Sequence, residues 1–479
     1  MKRDFNRAQM PGASAWNLLD FIPDELGAPL RGRGGWSYGD GGTMSSVTSI
    51  KGIVYAPFSG GAKTLIIGQN AELWNIATPT DIGAAIVPGQ NPIYYRGKVI
   101  IPNNDGTTAP KYYDGTTLGN LAGTPPTGQL AGSFKDHAML ARSSANDNRI
   151  WFSAAGDPTT WNTSSGYLDT TGTLTAIAPL KSSILVFHAD STELIRGSIP
   201  PPGTDFILEP FLSVGCLDPF SVVTWNDRVI FANAKGIFQT DGAGWSDLTA
   251  RAGMSTYWQT TMASYATSWR LGGGVYRNHY ILSVNNGTTA VETFVINLQT
   301  GAFLRFSNFH GNCFAQVATG GVEELYMGLA NAGRVGKVST CWAPASAYKK
   351  DGDATTITPV FESVMHMGYD RLHRRWISSY GQQRWKYLYY SMRLTDYASD
   401  SPTVTLSYTT DPTPTGAYTS LATTVAGTTT FKGEGRRAIP TGNKAPWLGI
   451  KVAQTGPGDL QLHELALAYD PLERGALPQ

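Results

Sequence analysis

The sequence predicts an all-β chain: a β-propeller of six or seven blades followed by an antiparallel β-sandwich. Three observations carry this. Short apolar runs recur between Thr64 and Val338, each followed by a polar turn and a second apolar run. Their centres are Ile66, Ile100, Met139, Leu185, Ile230, Leu282 and Tyr326, and the steps between them are 34, 39, 46, 45, 52 and 44 residues. Most of these steps match the length of a four-stranded propeller blade. Turn dipeptides then punctuate the runs: Asp105-Gly106, Asp114-Gly115, Asp241-Gly242 and Asn286-Gly287 accept positive φ and close hairpins. After Asp351 the character changes to strongly alternating strands. The repeats share no fixed signature, and a meandering sandwich is the other all-β arrangement that such a period allows.

Composition agrees with short strands and tight turns. Of 479 residues, 54 are glycine, aromatics make up 11% and charged residues only 15%, against about a quarter in ordinary domains. Charge is also depleted where surfaces are buried against other chains. The 37 basic and 36 acidic residues nearly cancel, so no global field marks a nucleic-acid binder. Cys216, Cys313 and Cys341 have neither metal nor disulfide spacing and read as buried thiols of a reducing compartment. The N-terminus shows no signal peptide, and no apolar run is long enough to span a bilayer; the expected place of folding is the cytoplasm.

In chain order, residues 1–45 read as an N-terminal arm. Trp16, Leu18, Leu19, Phe21 and Ile22 make an extended arm or short strand that packs within the chain or docks on a neighbouring subunit, and Pro23 breaks any helix. Residues 46–345 carry the repeats. YILSV leads through NNGTTAVE to ETFVINL, and RVIFA turns through NAKG into IFQTDG; such hairpins build an antiparallel meander. The one helical stretch expected is a few turns near Met254–Ala263. Residues 346–479 form the sandwich, after a linker with a turn at Asp351-Gly352. TVTLSYT places Val404, Leu406 and Tyr408 on one face, and LGIKV does so with Leu448, Ile450 and Val452. LQLHELALAY slips phase at Glu464, the sign of a bulge or of a strand buried on both faces.

The chain shows no phosphate loop, no nucleophile elbow and no zinc-protease helix motif. The seven histidines are scattered. Asn146-Asp147-Asn148 lacks the spaced ligands of a calcium loop and reads as a turn. FSAAGDPTTW, at 152–161, loosely resembles a turn of sialidase-like propellers, but Gly156 precedes Asp157 and no arginine cluster accompanies it. No catalytic residue, cofactor or metal is therefore expected.

One basic and aromatic cluster stands out between Tyr369 and Met392: Arg371, His373, Arg374, Arg375, Arg384 and Lys386, interleaved with Trp376, Tyr380, Trp385, Tyr387, Tyr389 and Tyr390. That mixture suits a protein interface, a nucleic-acid platform, or a strand pair whose arginine stems cover aromatic rings. The expectation is a subunit or adaptor interface on Arg371, Arg374, Arg375, Trp376 and Tyr380.

Several stretches together resemble one family. RIWFSAAGDPTTWN at 149–162 is similar to a strand and turn of phage-tail propellers, and DRVIFANAKGIFQTDG at 227–242 to their blade hairpin. Trp16-Asn17-Leu18 with Gly34-Gly35 resembles their opening segment, and Gly368 followed by Arg371 to Arg375 the start of their C-terminal sandwich. The family is the tail nozzle or tail-hub (phage stabilisation) protein of short-tailed bacteriophages. The resemblance covers most of the chain in order of elements, though no single motif is diagnostic. It implies a structural virion protein assembled in the host cytoplasm: a homo-oligomeric ring of about six copies below the portal and adaptor. Such a ring continues the channel for double-stranded DNA, without sequence-specific binding, and docks fibres or spikes. The alternative is a carbohydrate-binding or glycoside-hydrolysing propeller at a surface, which would place two carboxylates across a central pocket.

Overall fold

The computed structural model describes residues 13–19, 21–23, 30–86, 92–103, 105–203, 205–252, 254–263, 265, 268–286, 290–319, 321–342, 360–366, 383–395, 403–409, 418–425, 430–440, 444–445, 447–455 and 459–471. The chain divides into two compact units. One holds residues 38–301 and 309–339; the other holds 1–37, 302–308 and 340–479. The segment expected as a separate arm is therefore split at 37/38. The short stretch 302–308 leaves the repeats to join the outer segments.

The first unit is a seven-bladed propeller. Blade one comprises Ile50–Phe58, Gly61–Gly68, Leu73–Asn75 and Thr80–Gly83, each antiparallel to the next. Blades two, four and five repeat this meander over 93–120, 176–212 and 223–247. Blade three, at 130–169, adds the short strand Asp157–Trp161. Blade six is built on Arg270–Tyr276, His279–Asn285 and Ala290–Asn297. The first strands of successive blades are neighbours, and that of blade seven, Gly311–Thr319, lies beside that of blade one, so the ring closes. Blade seven takes its outermost strand, Ser37–Tyr38, from the beginning of the chain.

All seven apolar centres read from the sequence fall on second strands. The reason is packing on both faces. In blade one, Leu65 and Ile67 pack towards Val99 and Ile101 of blade two, while Ile66 packs towards Val317 and Val335 of blade seven. In blade three, Leu140 joins Ile100 of blade two and Met139 joins Ile184 and Val186 of blade four. A second strand sandwiched this way has no solvent side, so it reads as a continuous apolar run rather than an alternating one. Blade six presses closely on its neighbours through Gly272, Gly273 and Gly274. A Cβ at Gly273 would sit 2.8 Å from the Ser221 carbonyl oxygen, and one at Gly274 would sit 2.8 Å from Phe314 Cβ. Between blades five and six run the helices Leu248–Arg251 and Ser255–Met262, the second at the expected helical stretch, with Trp258 fully buried.

Three of the tightest hairpins use turn residues that no glycine marks. Lys135-Asp136, Asn226-Asp227 and Arg277-Asn278 all have positive φ at both positions, and so does Arg96-Gly97. Each links the first and second strands of a blade, the geometry of a two-residue hairpin matched to strand twist.

The second unit is a β-sandwich of two sheets. One runs Phe303–Phe306, Ala13–Leu19, Val360–His366, Trp447–Thr455, Thr403–Thr409, Thr419–Val425. The other runs Phe21–Pro23, Leu30–Gly32, Asp459–Pro471, Gln383–Thr395, Thr430–Ala438, with Lys444–Ala445 also beside Gln383–Thr395. Leu406 faces Val452 and Tyr408 faces Ile450 across one buried stripe; Tyr390 faces Leu465 and Met392 faces Leu462 across another. Alternation holds at Val404 and Leu406, but Ser407 and Thr409 are buried too. The phase slip near Glu464 is a β-bulge: Ser391 pairs with Glu464 and Met392 with Leu462, which leaves His463 as the extra residue.

Candidate functional site

A cavity of 110 Å³ opens among the first strands of blades three to five. Leu130, Ala131, Ile177, Ala178, Pro179, Pro219, Val222 and Thr224 line it. The lining is apolar or small and carries no acidic side chain.

Buried polar groups cluster elsewhere, each held by the chain around it. Asp218 caps the short helix Pro219–Ser221: its Oδ1 accepts from Phe220 N at 2.9 Å and its Oδ2 from Leu271 N at 3.0 Å. Arg270 Nε stands 3.7 Å from the same carboxylate and its guanidinium lies over the Phe220 ring. Burial pushes the Asp218 carboxyl upward, and the Arg270 charge opposes it. Lys51, at the start of blade one, is held below the ordinary lysine range by burial and by the Arg270 charge. This cluster ties the start of blade five to blade six through the Leu271 amide and the Arg270 guanidinium; it is a joint.

His188 and Glu193 form a second buried pair, 3.0 Å between Nε2 and Oε2. Nδ1 of His188 faces the Thr173 carbonyl at 3.0 Å, and Thr171 Oγ1 donates to Glu193 Oε1 at 2.6 Å. A carbonyl only accepts, so Nδ1 carries a proton, and the Nε2–Oε2 approach requires a second proton between those atoms. The pair fastens the link between blades three and four. The sequence places His188 and Glu193 five residues apart but gives no sign that they meet.

The third cluster closes the ring. Arg334 pairs with Asp40 at 2.7 Å, its guanidinium lies 3.6 Å from the Tyr38 ring centroid, and Val335 N donates to Asp40 Oδ2 at 2.5 Å. Gly39 N also donates to Val335 O at 2.8 Å.

Arg371, Arg374, Arg375, Trp376 and Tyr380 lie outside the described residues. The end of the same cluster is described: Gln383–Thr395 is one long strand, with Leu388 and Tyr390 buried and Tyr389 exposed beside Tyr387 at 6.3 Å between ring centroids. Cys216, Cys313 and Cys341 are all buried free thiols. Among the described residues no group of three or more His, Cys, Asp or Glu side chains could hold a metal ion, and no helix is long and apolar enough to cross a membrane.

No protein-family model matches the chain, and no curated protein does. Solved structures similar to it are propellers of varied proteins. The WD40 propeller domain of Doa1 is 10% identical, with a TM-score of 0.39, and the match covers 65% of this chain and 100% of that one. The Pan2 WD40 domain of Neurospora crassa is 9% identical, with a TM-score of 0.38, over 64% of this chain and 94% of that one. The AfRom2 CNH domain is 9% identical, with a TM-score of 0.39, over 63% and 98%. These likenesses concern the fold alone.

Proposed function

We propose that this chain is a structural virion protein, a tail nozzle or hub of a short-tailed bacteriophage, and not an enzyme. In this reading about six copies form a ring below the portal and adaptor, pass double-stranded DNA and dock fibres or spikes. The observation that supports the choice of scaffold over hydrolase is the lining of the cavity among the first strands of blades three to five. Glycoside hydrolysis needs two carboxylates about 5–10 Å apart across the substrate, and the cavity between blades three and five offers alanine, proline and aliphatic side chains instead. The near-neutral charge of the chain also suits a passage through which DNA slides, because a strongly basic lining would hold phosphates. Arg371, Arg374 and Arg375 are the proposed anchors between subunits or against the adaptor, with Trp376 and Tyr380 beside them, since planar guanidinium groups bind carboxylates in pairs and stack on rings.

The test is the mass and copy number of this chain in purified virions. Several copies in the tail support the ring; a single copy refutes it, and absence from the particle refutes the virion assignment. Hydrolysis of host polysaccharide by the purified protein would overturn the scaffold reading directly. Arg374→Ala with Arg375→Ala should leave folding intact and block tail assembly. A block in DNA ejection with normal assembly would move the cluster to the channel.

A further inference from the structure

We propose that the strand Thr430–Ala438 is a docking edge for an extended, acidic segment of another protein, which adds to the sheet as a further strand. The inference stands apart from the ring reading and rests on the second unit alone. Thr430–Ala438 is the last strand of its sheet, paired on one side with Gln383–Thr395 and with no strand on its other side among the described residues. It is nine residues long, with the sequence TFKGEGRRA. An edge of that length exposes a row of backbone donors and acceptors, the template on which strand addition works. It has no proline to interrupt the row, and Gly433 and Gly435 have no side chain to hold a neighbouring backbone away.

Charge selects the occupant. The strand carries Lys432, Arg436 and Arg437 against the single acid Glu434. A second copy of the same edge would set like charges side by side, which opposes self-pairing. An acidic segment meets the opposite field. Arg437 is exposed and makes no ion pair among the described residues, so its guanidinium is available to a carboxylate. Arg436 stands opposite Tyr389 in register, and Tyr389 is 40% exposed, with Ala466 on its other flank. Tyr389 lies one strand in from the edge, so the contacts met first by an incoming strand are those of Thr430–Ala438 itself.

The experiment uses the full chain and two labelled peptides of about ten residues, the length of a strand. One alternates glutamate with valine and threonine; the other replaces each glutamate with lysine. Fluorescence anisotropy is read in dilute buffer, because salt screens such pairs. The acidic peptide should bind, and Arg436→Glu with Arg437→Glu should weaken it by about tenfold or more while the lysine peptide gains. Arg436→Lys with Arg437→Lys should retain binding of the acidic peptide. If the double reversal disturbs the thermal transition, Arg437→Glu alone, at the exposed residue, carries the test. No binding of either peptide, or equal binding of both, overturns the proposal and leaves the charges as guards against aggregation. Binding of an oligo-dT strand in place of the peptide, lost on charge reversal, overturns it in favour of nucleic acid.

Discussion

Asp40 and Arg334, 294 residues apart in the chain, meet at 2.7 Å and hold the last blade of the propeller to the first segment that completes it. The Asp40 carboxylate is fully buried, and it accepts from both the Arg334 guanidinium and the Val335 amide. Tyr38 supplies the face on which the guanidinium lies. An ion pair that is hydrogen-bonded on both sides and sealed by a ring is the kind whose loss is felt.

Asp40→Ala should therefore lower the unfolding free energy by about 1–3 kcal/mol, since it leaves a part-buried guanidinium and a backbone amide without their shared acceptor. Urea unfolding of the full chain measures this. A change below about 0.5 kcal/mol, the range of ordinary surface substitutions, would show that the clasp does not hold the ring.

His188→Ala should cost about 3–5 kcal/mol, because Glu193 would remain buried with its charge uncompensated. Glu193→Gln should be much milder: the amide can donate to Nε2 while Nδ1–H keeps the Thr173 carbonyl. Equal losses in the two variants would contradict the proton count inferred for this pair.

Gly273→Ala should destabilise by about 1–3 kcal/mol, the usual range for overpacking a tight interior. The added methyl would press on the Ser221 carbonyl and on Tyr280 Oη, groups that already hydrogen-bond to each other at 2.7 Å. Gly244→Ala, where a Cβ meets nothing within 4 Å, is the matched control. A control as damaging as Gly273→Ala would reject the close-approach explanation.

Acid stability follows from the turns. Asp105 is brought down to about 2 by hydrogen bonds from Thr107 and Thr108, which outweigh its desolvation; Asp114, Asp157, Asp205 and Asp241 are lowered mainly by the amides and hydroxyls of their turns. A carboxyl whose folded pKa is depressed contributes stability above its unfolded value, near 4, and loses it as pH falls through the folded value. Stability should thus decline between about pH 4 and pH 2. The urea midpoint of Asp114→Asn should vary less steeply over that interval. An unchanged pH slope would sink the assignment.

Burial pushes the Cys216 and Cys313 thiols up to about 12. Neither should react with Ellman's reagent at pH 8–9 in the folded protein, where an exposed thiol of pKa near 8.5 reacts readily. Denaturation should release them. Fast labelling of either cysteine in the native state would mean that the blade junctions open.

The seven apolar centres were legible, though the blade count stayed between six and seven, because the second strand of each blade is packed on both faces, which turns SILVF or TLIIG into a solid apolar run. The phase slip at Glu464 was legible as well, and of the two explanations it allowed, a bulge or a strand buried on both faces, the register shows the bulge. The closing strand was not: Ser37–Tyr38 is two residues long, and its partner is written 300 residues later. The hairpins at Lys135-Asp136 and Arg277-Asn278 escaped because positive φ was sought at glycine, while strand twist imposed it on larger residues. The clusters at Asp218 and His188 had no sequence mark: Asp218 meets Leu271 and Arg270 of blade six, and His188 meets Glu193 only because two strands of blade four fold back on each other. In the candidate interface, the aromatic end at Leu388 and Tyr390 is core, so part of its tyrosine richness reflects packing within the sandwich.

Residues 302–308 belong with the sandwich although they lie between blade six and blade seven in the chain. Dissection must respect that interleaving. A fragment ending near 339 keeps every propeller strand, yet it carries the stretch 302–308, with the strand Phe303–Phe306, without its companions in 340–479. A fragment beginning at 340 lacks Ala13–Leu19, the strand that pairs with Val360–His366. Neither piece is a self-contained gene product, and recombination could exchange this sandwich between relatives only by moving three separate stretches of sequence at once.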